Sequence, residues 1–107
     1  MLNNDICNIQ PSTHPGVILK QEFIDVYGIT VKDITILGKF REGVIQQLLD
    51  GGECTVDTAL RLSKLFGTTS HFWMNLQINH DMYVTNYQIK HELEEITKFF
   101  KKRNLEY

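Results

Sequence analysis

Residues Gly28 to Gly51 read GITVKDITILGKFREGVIQQLLDG, and their reading decides the fold. Thr30 offers a side-chain cap for a first short helix, and Asp33, three residues on, completes a capping box. Ile34 and Leu37 follow at helical spacing. Gly38 marks the break, because glycine tolerates positive φ and interrupts helices. A second short helix is predicted from about Arg41 to Leu49. Ile45, Leu48 and Leu49 fall at i, i+3 and i+4 and make one inward stripe. Gly51 and Gly52 close it. Two short helices about a tight turn, the second with a polar outer side, form the helix-turn-helix pattern. Such pairs also occur in many all-α domains, so the pattern alone leaves nucleic-acid binding and plain scaffold both open.

Outward from this stretch the same periodicity continues. Before it, Pro15 suits a first helical position, where its missing N–H costs nothing, and His14 reads as the capping or start residue. Leu19, Phe23, Val26 and Tyr27 then form the expected buried face, ended by Gly28. After it, Thr55 caps a fourth helix with Val56, Ala59, Leu62, Leu65 and Phe66 as its apolar side and Gly67 as its stop. Thr69 or Ser70 caps a fifth helix, SHFWMNLQINHDM, in which Trp73 reads as core or dimer contact. A sixth is predicted from Thr85 to Arg103, with Ile89, Leu93, Ile96 and Phe100 at i, i+4, i+7 and i+11 and an i,i+4 pair of Glu94 with Lys98. The predicted fold class is therefore all-α: five helices plus a C-terminal helix. Residues 1–12 form an expected flexible arm, 13–83 the helix-turn-helix domain and 84–107 a helical extension.

Composition bounds the function. The 107 residues suit one domain, and no apolar run approaches the ~20 residues of a membrane helix. The N-terminus lacks a basic cluster and an apolar core, so no signal peptide is expected. Cys7 and Cys54 stand far apart, which reads as free thiols in a reducing cytosol. The net charge of −2 stands against nucleic-acid binding, which usually leaves a basic footprint. Lys98, Lys101, Lys102 and Arg103 make the one basic cluster. The histidines are scattered, without HExxH, CxxC or EF-hand spacing, and no nucleophile motif or phosphate loop occurs. No catalytic residue, metal or cofactor is expected, and the chain does not read as an enzyme.

His14-Pro15-Gly16, Gly28-Ile29-Thr30, Thr58-Ala59-Leu60-Arg61-Leu62, Phe66-Gly67-Thr68-Thr69 and Phe72-Trp73-Met74-Asn75-Leu76-Gln77 carry a resemblance. In order and spacing they closely resemble the HigA family of antitoxins, also called addiction-module antidote proteins, a branch of the lambda-repressor-like helix-turn-helix fold. The likeness covers roughly His14 to Gln77. It implies a cytoplasmic bacterial homodimer. It implies a partner, a small RelE/HigB-like toxin that cleaves mRNA, and repression of the chain's own operon through operator DNA. This sequence departs from the family where DNA would be read. Val17 stands where a glutamate is common, Thr35 replaces an alanine, the turn glycine is displaced to Gly38, and the second helix opens Arg41-Glu42-Gly43-Val44.

With Ile45, Leu48 and Leu49 inward, the outer side presents Gly43, Gln46 and Gln47. Gln47 is the best reader, since its amide can pair bidentately with adenine N6 and N7. Gln46 can do the same or reach a phosphate. Glu42 can accept from cytosine N4, against the repulsion of phosphates. Gly43 reads nothing but permits close approach. Thr30 at a helix start, Lys39 and Arg41 are the expected phosphate contacts. Phe72, Trp73, Leu76 and Gln77 are the expected dimer contact. Two rival readings remain: a solitary helix-turn-helix regulator without a toxin, and a protein-binding module that has lost specific DNA reading.

Overall fold

The computed structural model describes the backbone of residues 13–102 and the side chains of residues 13–99. The expected arm 1–12, Cys7, Arg103 and the side chains of Phe100, Lys101 and Lys102 lie outside the described residues. Helix α1 is built of three consecutive pieces, Pro15–Ile18, a π-helical Leu19–Ile24 and Asp25–Tyr27. Then come α2 (Val31–Leu37), α3 (Val44–Leu49), α4 (Val56–Phe66), α5 (Ser70–Gln88) and α6 (Lys90–Lys102). No described helix is long and apolar enough to cross a membrane.

The caps fall where short polar side chains precede apolar runs. Thr30 Oγ1 accepts the Asp33 N–H at 3.0 Å, and Asp33 accepts the Thr30 N–H at 3.3 Å, which completes the capping box. Thr55 caps α4 through the Thr58 N–H, and Thr69 caps α5 through the Phe72 N–H. His14 Nδ1 accepts the Gly16 N–H at 2.9 Å.

Phe23 of α1 is the hub of the core. Its ring lies 4.5 Å from that of Phe66 on α4 and 5.4 Å from that of Trp73 on α5. The Trp73 indole is fully buried, and its N–H donates to Thr68 Oγ1 at 2.7 Å. Leu19, Ile34, Ile45, Leu48 and Leu62 close around this cluster. Val26 and Tyr27, expected inside, are exposed. The i→i+5 winding of Leu19–Ile24 shifts the phase of the last turn, so a 3.6-residue count drawn from Leu19 misplaces them. Val56 is exposed as well, on the outer side of α4 with Leu60, while Thr58 and Ala59 of the same stretch turn inward.

The break before the last helix lies later than the expected start at Thr85. Residues 83 and 84 lie inside one continuous helix, and the interruption sits at Ile89, where φ is −111°. Thr85 and Asn86 are exposed and tolerated within α5, so their polarity starts no new element. α6 carries the chain away from the core. The radius of gyration is 17.7 Å, well above the ~13 Å of a compact chain of about 100 residues.

Buried polar groups tie the ends of α3 to its neighbours. Gln77 of α5 is buried, and its Oε1 accepts the Cys54 N–H at 2.7 Å in the loop after α3. Its Nε2 donates to Asp81 at 3.0 Å. The Cys54 thiol is fully buried; desolvation first and the Glu53 charge second push it up to about 11, which keeps it unreactive. A Cβ on Gly16 would strike the Leu48 carbonyl, so only glycine lets the start of α1 rest on the end of α3.

Gln77→Ala leaves the buried Cys54 N–H without an acceptor. It is expected to lower the unfolding free energy by about 1–3 kcal/mol in urea denaturation. His14 supplies a pH dependence. Burial, then the positive charge of His80, holds its imidazole below the ordinary 6.5, while the Gly52 backbone and Asp81 oppose the shift. The unfolded chain therefore binds the proton more tightly. The stability contribution is full above pH ~6.5 and is lost as the pH falls from there through the lower folded value. Melting temperatures followed from pH 7.5 to 5 check this, and His14→Asn, which retains a cap acceptor, flattens the dependence.

Candidate nucleic-acid interface

α2, the turn 38–43 and α3 form the helix-turn-helix. α3 begins at Val44, three residues later than expected, because Gly43 (φ +87°) breaks the chain before it. Nothing lies within 4 Å of a Cβ built on Gly43, so its glycine answers the backbone conformation and not crowding. Arg41, Glu42 and Gly43 thus belong to the turn and are all exposed.

Gly38 works differently from its sequence reading. Its φ is −86°, and the left-handed residue is Lys39 at +56°. A side chain at Gly38 would run into the Phe40 ring, so the glycine makes room for that ring to enter the core. A lysine in the left-handed region costs on the order of 1 kcal/mol.

Arg61 on α4 holds this conformation. Its Nη1 donates to the carbonyls of Gly38 at 3.2 Å and Lys39 at 3.0 Å. Its Nε donates to Asp57 at 2.7 Å, and its guanidinium lies 6.0 Å from the centre of the Phe40 ring. The hydrogen bond from Arg61 holds Asp57 below the ordinary carboxylate range; slight desolvation opposes this, and the charges of Arg61 and Arg41 reinforce it. Arg61 stands in the sequence only as part of the Thr58–Leu62 motif, with no contact role expected of it. The available signal was an arginine four residues after an aspartate on the predicted fourth helix, a spacing that pairs the two side chains.

The fold brings some expected contact residues together and separates others. Lys39, Arg41 and Gln47 share a cleft of about 510 Å³ with Arg61, between the turn and the start of α4. Gln46 lies on the other flank of α3, in a groove with Val17, Lys20 and Gln21 of α1, and donates to Asp50 at 3.1 Å. Thr30 is exposed at the start of α2, with its hydroxyl oxygen engaged in the capping box and Asp33 beside it. Ile45 and Leu48 are buried and Leu49 half-buried, which turns Gln46 and Gln47 outward as the stripe requires. Glu42, Glu53 and Asp57 temper the positive potential of this face.

The expected dimer contact meets a geometric limit. Trp73, Leu76 and Gln77 are buried within their own chain, and Phe72 stacks edge-on against Trp73 at 5.1 Å. Trp73, Leu76 and Gln77 thus serve the interior of the protomer, and Phe72 is half-buried against it. The apolar spacing that marks an internal helix face is the same as that of an interface, so periodicity could not separate the two.

Three comparisons locate this architecture among known proteins. Antitoxin HigA-1 of Vibrio cholerae is 29% identical over 85 residues, 79% of this chain and 81% of that protein. The structure of the Pseudomonas aeruginosa antitoxin HigA with the higBA promoter aligns with a TM-score of 0.75 and 26% identity, over 78% of this chain and 92% of that one. A HigA-family addiction module antidote protein from Coxiella burnetii aligns with a TM-score of 0.74 and 32% identity, over 78% and 92%. No family model matches the chain. The fold and the two-helix face define a helix-turn-helix protein of the lambda-repressor type. Within that class, the chain belongs to the HigA family of antitoxins.

Arg61→Ala removes the donor to the two turn carbonyls, both of which water can reach in part. The expected loss of stability is about 1 kcal/mol. The Asp57 pKa rises toward the ordinary carboxylate value in the variant, as read from the carboxyl carbon shift in an NMR titration.

Proposed function

We propose that the chain is the antitoxin of a toxin–antitoxin pair, binding a small RelE/HigB-like mRNA-cleaving toxin and repressing its own operon as a homodimer on operator DNA. The observation that carries the DNA-binding half is the single cleft holding Lys39, Arg41 and Gln47 beside an exposed α3. A helix placed this way enters the major groove with its first residues at the base edges. Gln47 reads adenine there, and Gln46 contacts the adjacent base or phosphate from the opposite flank. Lys39 and Arg41 hold phosphates, and Thr30 approaches one at the start of α2. Gly43 allows the backbone close, and Glu42 accepts from a cytosine amino group. A HigA relative whose structure includes its promoter supports this reading.

The carboxylates of Glu53 and Asp57 in the same cleft, with Glu42 in the adjoining turn, favour a second reading: a protein-binding module on a retained helix-turn-helix scaffold. Mobility-shift titrations with the DNA upstream of the gene separate the two. Under the first reading, Lys39→Ala and Arg41→Ala each weaken all sequences alike and reduce the salt slope by about 1. Gln47→Ala lowers discrimination at one base pair by about 1–3 kcal/mol. Absence of binding at 50 mM salt would falsify the repressor half. Co-expression with the product of the neighbouring small gene tests the toxin half, and failure of the two to purify together counts against it.

A further inference from the structure

We infer that Arg61 is a positioning residue for the DNA contact: from α4 it holds Lys39 in its left-handed conformation, so that the lysine stands ready beside Arg41 before any DNA arrives. This role rests on the DNA-binding half of the reading above and gives it a determinant outside the helix-turn-helix.

α2 ends in a Schellman turn. Phe40 N–H donates to the Thr35 carbonyl at 2.9 Å, and Lys39 N–H donates to the Ile36 carbonyl at 3.2 Å. The residue that turns left-handed in this motif is usually glycine, because a Cβ crowds that conformation. Here it is Lys39, at φ +56°. Among the described residues every other positive φ falls on a glycine: Gly28, Gly43, Gly51 and Gly67. A glycine does stand one position earlier, at 38, but there the Phe40 ring takes the space of a side chain. The chain therefore keeps a strained lysine where glycine would be unstrained. Strain of this kind persists only where the surroundings over-determine it, and it clusters at binding sites.

Arg61 supplies that constraint. Its Nη1 donates to the Gly38 carbonyl at 3.2 Å and to the Lys39 carbonyl at 3.0 Å. These carbonyls belong to the peptide planes before and after the Lys39 Cα, so the two bonds together restrain both its φ and its ψ. They also place a cation at the negative end of α2, where the last carbonyls lack helical partners. Asp57 accepts from Nε at 2.7 Å and fixes the guanidinium from its other side. With Nε and Nη1 engaged and a carboxylate alongside, Arg61 is poorly placed to take a phosphate itself. It acts through Lys39, which is exposed and lines the cleft with Arg41 and Gln47.

Mobility-shift titrations of the full chain on the duplex upstream of its gene test this, at a temperature where circular dichroism shows each variant folded. Arg61→Ala leaves the turn in its binding conformation only part of the time. The apparent dissociation constant rises by the inverse of that fraction, about five- to tenfold. The slope of log K against log salt is expected to keep its wild-type value, because Lys39 still meets its phosphate once bound. A fall of about 1 in that slope marks Arg61 as a phosphate contact in its own right and overturns the positioning role. Lys39→Gly is expected to raise the melting temperature and to lower the slope by about 1. In that background Arg61 has no lysine to place, and Arg61→Ala costs less than about twofold in affinity. Losses that simply add overturn the positioning role. This second comparison decides the matter even where Arg61→Ala alone fails to fold. A wild type that does not bind overturns the DNA-binding reading itself. A wild type that binds, with Arg61→Ala binding equally well, overturns the positioning role and spares that reading.

Discussion

α3 has six residues, less than two turns. A helix that short has no stability of its own in water, because isolated helices below about 12 residues are marginal. Its geometry is therefore supplied from outside. Ile45 and Leu48 anchor it in the core. Gly16 brings α1 against the Leu48 carbonyl at its end. Arg61 fixes the turn before it, and Gln77 fixes the loop after it. Gly16, Arg61 and Gln77 lie on three different helices, so the face presented by α3 is a property of the whole bundle.

The same dependence explains how an acidic chain forms a face with cations on it. Asp57 is held ionised by Arg61, and Arg61 is directed onto backbone carbonyls of the turn. This pairing engages the Asp57 carboxylate chiefly with Arg61, while Arg41 and Lys39 stay exposed beside the cleft. Net charge is a sum over the surface, whereas a binding face depends on which charges are already paired.

The arm formed by α5 and α6 follows a different logic from the core. In α4 the apolar stripe is absorbed by neighbouring helices, and Ala59 and Leu62 are fully buried. In α6 a stripe of the same period lies far from the core, within a molecule extended to 57 Å. Identical patterning thus serves internal packing in one helix and leaves a surface open in the other. Helix period reports that a face is apolar, and only the position of neighbouring helices reports what covers it.

The sequence by itself determined what depends on near neighbours along the chain. The caps at His14, Thr30, Thr55 and Thr69, the glycine stops at Gly28 and Gly67, and the inward stripe of Ile45, Leu48 and Leu49 were all legible, because a cap or a helix face involves residues within a few positions of one another. The family signature from His14 to Gln77 was legible for the same reason: its motifs have fixed order and spacing. Tertiary structure decided the rest. The π winding of α1 turned Val26 and Tyr27 outward. The Phe40 ring claimed the space beside Gly38 and moved the left-handed residue to Lys39. Arg61 reached back 22 residues to the Lys39 carbonyl, and Gln77 reached back 23 to Cys54. Contacts across such separations leave no period or local motif. They exist only once the apolar faces have packed and brought the distant groups within hydrogen-bond range.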